Sequence, residues 1–422
     1  MVQLLVISDD FTGALDTGVQ FAGKGIKTKV LNRIPADDSV WRQSEAQVVV
    51  VDAGTRHLKG EEAYRRVYDL VKSAKRANVR YLYKKTDSGL RGNIGKELEA
   101  ALAASGETYL TFIPALPAMN RITVEGIHYV EGVPIHKTAF GRDPFEPVLS
   151  AKVKDLFRDV TPEAVLYGES GHYERGEGKE IGIFDAASEA QIKRIAQNLI
   201  GQNRLGVMAG CAGFASVLGD CLGFERGQVE MPAVSDKLFV ICGSVNEITG
   251  RQIEYAEKSG MKRSTMTPVQ QFTPGYLSTP EGREWLCGLK RDCDAGTTCV
   301  VETGVSDMES VTKYREKNNI PLEQARVAIS DRLGDVLKEL LAMGLAATIM
   351  IIGGDTLAGF FTKMQCREIT VYGELERGTV LSQVEINGKK QWIISKSGGF
   401  GEPDLLIKVE EMIKKELSAT AV

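Results

Sequence analysis

Three polar blocks in the first half of the chain each follow an apolar run: ISDDFTGALD (7–16), VDAGTRHL (51–58) and YKKTDSGLRGNIGKELE (83–99). Asp9, Asp10 and Asp87 offer carboxylates that accept hydrogen bonds from hydroxyls, and Arg56 and Arg91 offer forked guanidiniums that match a carboxylate. Together they predict a pocket for a small hydroxy acid. Each residue also has a plainer role open to it: Asp9 or Asp10 can cap a helix beginning near Thr12, and Ser88 the helix after it. Recurrence of such blocks after three separate strands favours one shared site, because open α/β sheets bind ligands beyond the carboxyl ends of their strands.

The second half carries different chemistry at the same kind of position. Its blocks are ICGSVNEIT (241–249), IIGGDTLAGFF (351–361) and SKSGGFGEPD (395–404), each glycine-rich and each about to enter a helix. Glycine lets backbone N–H groups approach an anion closely, and the helix N-terminus adds favourable charge, so these loops are candidate phosphate cradles. Ser244, Asp355, Thr356 and Ser397 add hydroxyl and carboxylate groups for nucleotide or metal contacts. Neither G-x-x-x-x-G-K-[ST] nor a strand-to-helix G-x-G-x-x-G occurs, which weakens a nicotinamide-dependent oxidoreductase as an alternative.

Elements must position these blocks. Short runs rich in Val, Ile and Tyr alternate with helix-length amphipathic segments, which predicts an α/β fold of two domains with mostly parallel sheets flanked by helices and an active site in the cleft between them. Strands are expected at 3–7, 27–31, 48–51, 80–83 and 109–112, then at 238–242, 299–302, 347–352, 368–372 and 392–395. Asn387-Gly388 reads as a hairpin turn, and 402–417 as a terminal helix. The polar, Pro232-containing segment 225–236 is the expected boundary and hinge, giving domains 1–230 and 236–422. The stretch 168–179 reads as a surface loop.

The 422 residues exceed what one core supports, and 52 Lys+Arg against 56 Asp+Glu leave a net charge of −4. With no basic block, nucleic acid and anionic membrane are excluded as expected partners. Seven scattered cysteines without a C-x-x-C pair argue against disulfides and zinc. Neither a signal peptide nor a membrane span is legible, so a cytoplasmic protein is expected. His57, His128, His136 and His172 stand alone, and Cys242 is expected in the core.

The blocks SDDFTGALDTG, GTR, KKTDSGLRG, GGDT and SKSGGFG, in this order, resemble the four-carbon acid sugar kinases over nearly the whole chain. The resemblance implies an N-terminal acid-sugar-binding domain, a C-terminal nucleotide-binding domain, and use of ATP to phosphorylate the terminal C4 hydroxyl of a tetronate. The opening block is most similar to D-threonate kinases; D-erythronate and 3-oxo-tetronate are the alternative substrates. By resemblance Asp10, Arg56, Lys85, Thr86, Asp87 and Ser88 bind substrate, with Arg91 in the same motif, and Ser244, Gly353, Gly354, Asp355, Thr356, Gly398 and Gly399 bind ATP. The family often has Thr at the position of Gly89 and Gly-Arg-Thr-Thr where this chain has Asn120-Arg121-Ile122-Thr123. On this basis the substrate carboxylate is expected on Arg56 and Arg91, Asp87 or Asp10 orients the hydroxyl and accepts its proton, and Lys85 stabilises the transferring group. Mg²⁺ is expected on the ATP phosphates, its protein ligands unknown, and a homodimer is the expected assembly. A non-catalytic sugar-acid sensor is the remaining alternative.

Overall fold

A computed structural model describes residues 2–143, 146–169, 178–228, 231–304 and 308–417. Most of the expected 168–179 loop, with His172, lies outside the described residues. The chain divides into two compact units, Met1–Val229 and Glu230–Val422.

In the first unit, β1 (Leu4–Ser8) runs into α1 (Phe11–Ala22), followed by β2 (Thr28–Leu31), α2 (Ser39–Gln43), β3 (Val48–Asp52), α3 (Gly60–Arg76), β4 (Tyr81–Lys85), α4 (Ile94–Ser105) and β5 (Tyr109–Ile113). A small antiparallel sheet follows, β6 (Arg121–Val124), β7 (Ile127–Val130) and β8 (Val133–Pro134). Then come β9 (Glu163–Gly168), β10 (Glu180–Phe184), α5 (Glu189–Gly201), β11 (Val207–Gly210) and α6 (Ala212–Cys221). The main sheet is parallel in the order β2-β3-β1-β4-β11-β5-β10-β9. Helices cover both faces, so its strands read as continuous apolar runs; Leu4, Leu5, Val6, Val48, Val49, Val50 and Val51 are all fully buried. The chain leaves β1 toward β2 and β4 toward β5, in opposite directions, so the β1/β4 edge is a topological switch point where loops splay apart.

The second unit repeats that plan. It contains β12 (Leu238–Cys242), α7 (Glu247–Lys258), β13 (Lys262–Thr265), α8 (Pro268–Phe272), α9 (Pro280–Asp294), β14 (Cys299–Glu302), α10 (Met308–Lys317), α11 (Leu322–Ala342), β15 (Thr348–Ile352) and α12 (Gly354–Met364). It ends with β16 (Glu368–Glu376), β17 (Thr379–Ile386), β18 (Lys389–Lys396) and α13 (Leu405–Met412). The order β13-β14-β12-β15-β18-β17-β16 is parallel as far as β18, and β16 to β18 form an antiparallel meander. Here the switch point lies between β12 and β15. Asn387 and Gly388 take φ of 51° and 75°, as the two central residues of a two-residue hairpin require.

Two expectations are corrected, and one element is new. The terminal helix begins at Leu405, after Pro403 has passed, and widens into a π turn over Ile413–Leu417. Ser88 caps no helix, since the residue preceding α4 is Asn93. The β6–β8 sheet carries no long apolar alternation and was not expected. Cys242 is buried, and burial pushes its thiol up to about 12. No described helix is long and apolar enough to cross a membrane.

Candidate functional site

In the first unit, the loops after β1, β3 and β4 meet at the switch point. Asp10 is the N-cap of α1: one carboxylate oxygen accepts from Gly13 N–H at 2.9 Å and the other from Arg56 Nη1 at 2.6 Å, so capping the helix and pairing with Arg56 are one arrangement. Arg56 Nε donates to Asp9 at 2.7 Å, and its Nη2 lies 3.7 Å from Asp87. Arg91 grips Asp87 side-on, with Nε at 2.6 Å and Nη2 at 3.3 Å, while Nη1 reaches Asp143 at 3.1 Å. Thus both arginines expected to receive the substrate carboxylate are engaged by the protein's own carboxylates. The Lys85 side chain, also buried, has no hydrogen-bond or ion-pair partner among the described residues. Its Nζ sits so near Gly13 that a β-carbon there would be 2.6 Å from it.

Electrostatics follow from this packing. Burial alone would raise the Asp87 carboxyl, but Arg56 and then Arg91 outweigh it and hold the group far below the ordinary carboxylate range. Asp9 is likewise lowered: burial opposes, and Arg56, Lys84 and Lys85 prevail. Asp52, at the end of β3, is pushed up to about 7, chiefly by burial and then by the charges of Asp10 and Asp9. Beneath the loops, the fully buried Lys84 pairs with Glu97 at 3.1 Å, and Glu97 also accepts from Thr55 Oγ1. This pair ties β4 and α4 to the turn that presents Arg56. His128, buried between Thr123 Oγ1 and the Ser88 carbonyl, has its imidazole pushed down to about 4 by burial.

In the second unit the three glycine loops converge at the other switch point. Gly243 N–H donates to the Ile352 carbonyl at 3.1 Å and Gly353 N–H to the Lys396 carbonyl at 3.0 Å. A β-carbon on Gly398 would fall 2.3 Å from Ser244 Oγ, and one on Gly243 2.3 Å from Thr356 Oγ1. Gly353 has a φ of 110°, which favours glycine. Thr249 Oγ1 donates to the Gly398 carbonyl at 2.8 Å, and Gln252 Nε2 to those of Phe400, Gly401 and Glu402 at 2.9 to 3.0 Å. Gly399 adjoins Asn246, with 3.8 Å between its β-position and Nδ2. Ser244, Gly353, Gly354, Thr356, Gly398 and Gly399 therefore share one edge, whereas the Asp355 carboxylate is turned to Arg326, accepting at 2.9 and 3.0 Å. Lys396 lies buried under the loops, donating to the Ser397 carbonyl at 3.0 Å, and burial pulls its ammonium down to about 8.

Sequence reasoning did not single out Asp52, Lys84, Glu97, Arg121, His128 or Lys396. A signal existed for Lys84 and Lys85: adjacent strand residues point to opposite faces, so KK describes two different environments. Gly89 has its own explanation in packing, since a β-carbon there would lie 2.2 Å from the Phe140 ring.

Residues 4–218 match the family model described as a sugar-binding N-terminal domain, and residues 239–406 match the one described as a nucleotide-binding C-terminal domain. The chain is similar to a D-threonate kinase of Salmonella typhimurium, 28% identical across 97% of this chain and 99% of the relative. It is similar to a D-erythronate kinase of Heliobacterium modesticaldum, 27% identical across 89% and 88%. In fold it is similar to the crystal structure of a Haemophilus influenzae protein, with a TM-score of 0.73 and 20% identity over 97% of this chain and 100% of that one.

Proposed function

Because the chain belongs to the four-carbon acid sugar kinases, the family that joins a sugar-binding N-terminal domain to a nucleotide-binding C-terminal domain, we propose that it transfers the γ-phosphoryl group of ATP to the terminal C4 hydroxyl of a tetronate. D-threonate is the first choice of substrate, with D-erythronate next, by similarity to kinases of those names. One observation carries this reading: each unit gathers its candidate residues at its own switch point, a hydroxyl-reading cluster in one and a glycine-lined anion cradle in the other.

The division of tasks follows from the chemistry. Phosphoryl transfer needs an aligned hydroxyl, neutralised phosphate oxygens and exclusion of water, with little covalent work by the protein. Asp10 and Asp87, fixed by Arg56 and Arg91, accept hydrogen bonds from substrate hydroxyls, with Thr86 and Ser88 beside them. A carboxylate held as far ionised as Asp87 orients a hydroxyl and takes its proton only late, as a loose transition state permits. Lys85 is the cation that neutralises the transferring group. Ser244, Gly353, Gly354, Asp355, Thr356, Gly398 and Gly399 form the nucleotide site, Asp355 through its backbone while Arg326 engages its carboxylate. With that carboxylate engaged, Mg²⁺ fits best as an ion carried by the phosphates and water, where it offsets their charge. Turnover must bring the two ligands into line. A homodimer in the cytoplasm, where ATP is supplied, completes the proposal.

The test is ADP release with D- and L-threonate, D- and L-erythronate and the 3-oxo acid as acceptors. The proposal expects acid-dependent ADP with at least one tetronate. No ADP with any of them, or nicotinamide reduction on mixing, would overturn it.

A further inference from the structure

Three guanidiniums surround Asp87, and they are not equivalent. Arg56 and Arg91 make ion pairs to Asp9, Asp10, Asp87 and Asp143. Arg121, which opens β6, makes none among the described residues. Its Nη1 donates to Ser88 Oγ, and its Nε is buried with no partner. The edge without a partner among the described residues, Nε with Nη2, is the same edge with which Arg91 grips Asp87. The Phe140 ring lies against both guanidiniums, its centroid 5.1 Å from Arg121 and 5.3 Å from Arg91. Thr86 Oγ1, just past the end of β4, is likewise buried with no partner among the described residues.

A buried cation without a counter-ion is costly, and so is a buried donor without an acceptor. Burial lowers the Arg121 pKa, with Asp87 opposing that effect. Both costs vanish if an anion with two coplanar oxygens binds the open edge. We propose that Arg121, not Arg56 or Arg91, receives the carboxylate of the sugar acid and thereby selects acids over neutral polyols. This inference rests on the sugar-acid kinase reading and names the group that recognises the acid. The Ser88 hydroxyl, anchored on Arg121, then fixes the guanidinium plane, and His128 beneath the Ser88 carbonyl supports that strand end.

The experiment compares D-threonate with threitol, which has an alcohol in place of the carboxylate, by calorimetric binding without nucleotide and by steady-state ADP release. Arg121→Gln should weaken threonate binding and raise its KM by about 100-fold, the scale of a charge-assisted contact. It should leave the KM for ATP within about twofold and reduce the preference for threonate over threitol to near unity. Arg121→Lys, which keeps the charge and loses the fork, should recover part of the loss. Unfolding midpoints of both variants should match the parent, since no internal ion pair is removed; a variant that unfolds early would mark a structural role and overturn the inference. Unchanged threonate KM in Arg121→Gln, with loss of acid preference in Arg56→Gln instead, would overturn it while the kinase reading stood. Absence of acid-dependent ADP in the parent protein would remove both.

Discussion

Asp87 and Asp52 show how one cluster sets two carboxylates apart. Asp87 is held ionised by Arg56 and Arg91, whereas Asp52 is half-buried near Asp9 and Asp10 and pushed up to about 7. Replacing Asp87 by Asn keeps its shape but removes the strong acceptor, so turnover should fall by about 10³-fold while ATP still binds, read by single-turnover kinetics and nucleotide titration. A near-parental rate would leave Asp10 as the acceptor that matters. For Asp52 the sign is opposite to that of a salt-bridged acid. Its folded-state pKa lies above the unfolded value, so the native protein binds the extra proton between about pH 4 and 7, and stability is lost as pH rises through that window. Asp52→Asn should therefore gain on the parent by about 2 kcal/mol between pH 4 and 8, discounted for its partial exposure, in urea unfolding at the two pH values. The residues of this cluster were legible because hydroxyl-reading acids and arginines follow three apolar runs. Their partners were not, because only the fold reveals that Arg56 and Arg91 pair with neighbouring carboxylates and that Arg121 has no such pair among the described residues.

At the scale of elements, strand alternation does most of the positioning. β4 sends Lys84 into the layer under α4 and Lys85 toward α1, which makes one a buried ion-pair partner of Glu97 and leaves the other with no side-chain partner among the described residues. Lys84→Met would strand Glu97 as an uncompensated buried carboxylate, and a loss of about 3 kcal/mol in denaturant unfolding is expected, with Lys84→Met/Glu97→Gln recovering much of it. Most of the parallel strands, β1 to β5 and β12, β14, β15 and β18, were readable from apolar runs, and the Asn387-Gly388 turn from its dipeptide. The strands not expected include the polar edge strand β13, the small β6–β8 sheet, and β11, whose VMAG is too short and too small-residued to stand out, and also β9 and β10, whose apolar residues were not read as strands. Arg121 was overlooked as a site residue because it sits on one of these.

At the scale of the whole molecule, the same topological device occurs in both units, and glycine marks the tight place in each. A β-carbon on Gly13 would fall 2.5 Å from Asp10 Oδ1 and 2.6 Å from Lys85 Nζ, and one on Gly398 2.3 Å from Ser244 Oγ. If the units divide acid and nucleotide between them, Gly13→Ala should raise the KM for the acid by about 10-fold or more with the KM for ATP unchanged, and Gly398→Ala should do the reverse. Equal effects of either change on both constants would deny the division.

The most direct measurement follows the phosphorus itself. Incubation with Mg·ATP and D-threonate, monitored by phosphorus and proton NMR, should give one ADP for each phosphoester, with the ester on the terminal carbon and no ADP formed when the acid is withheld. ADP released equally without the acid, or an intact acid after ADP has accumulated, would contradict the account.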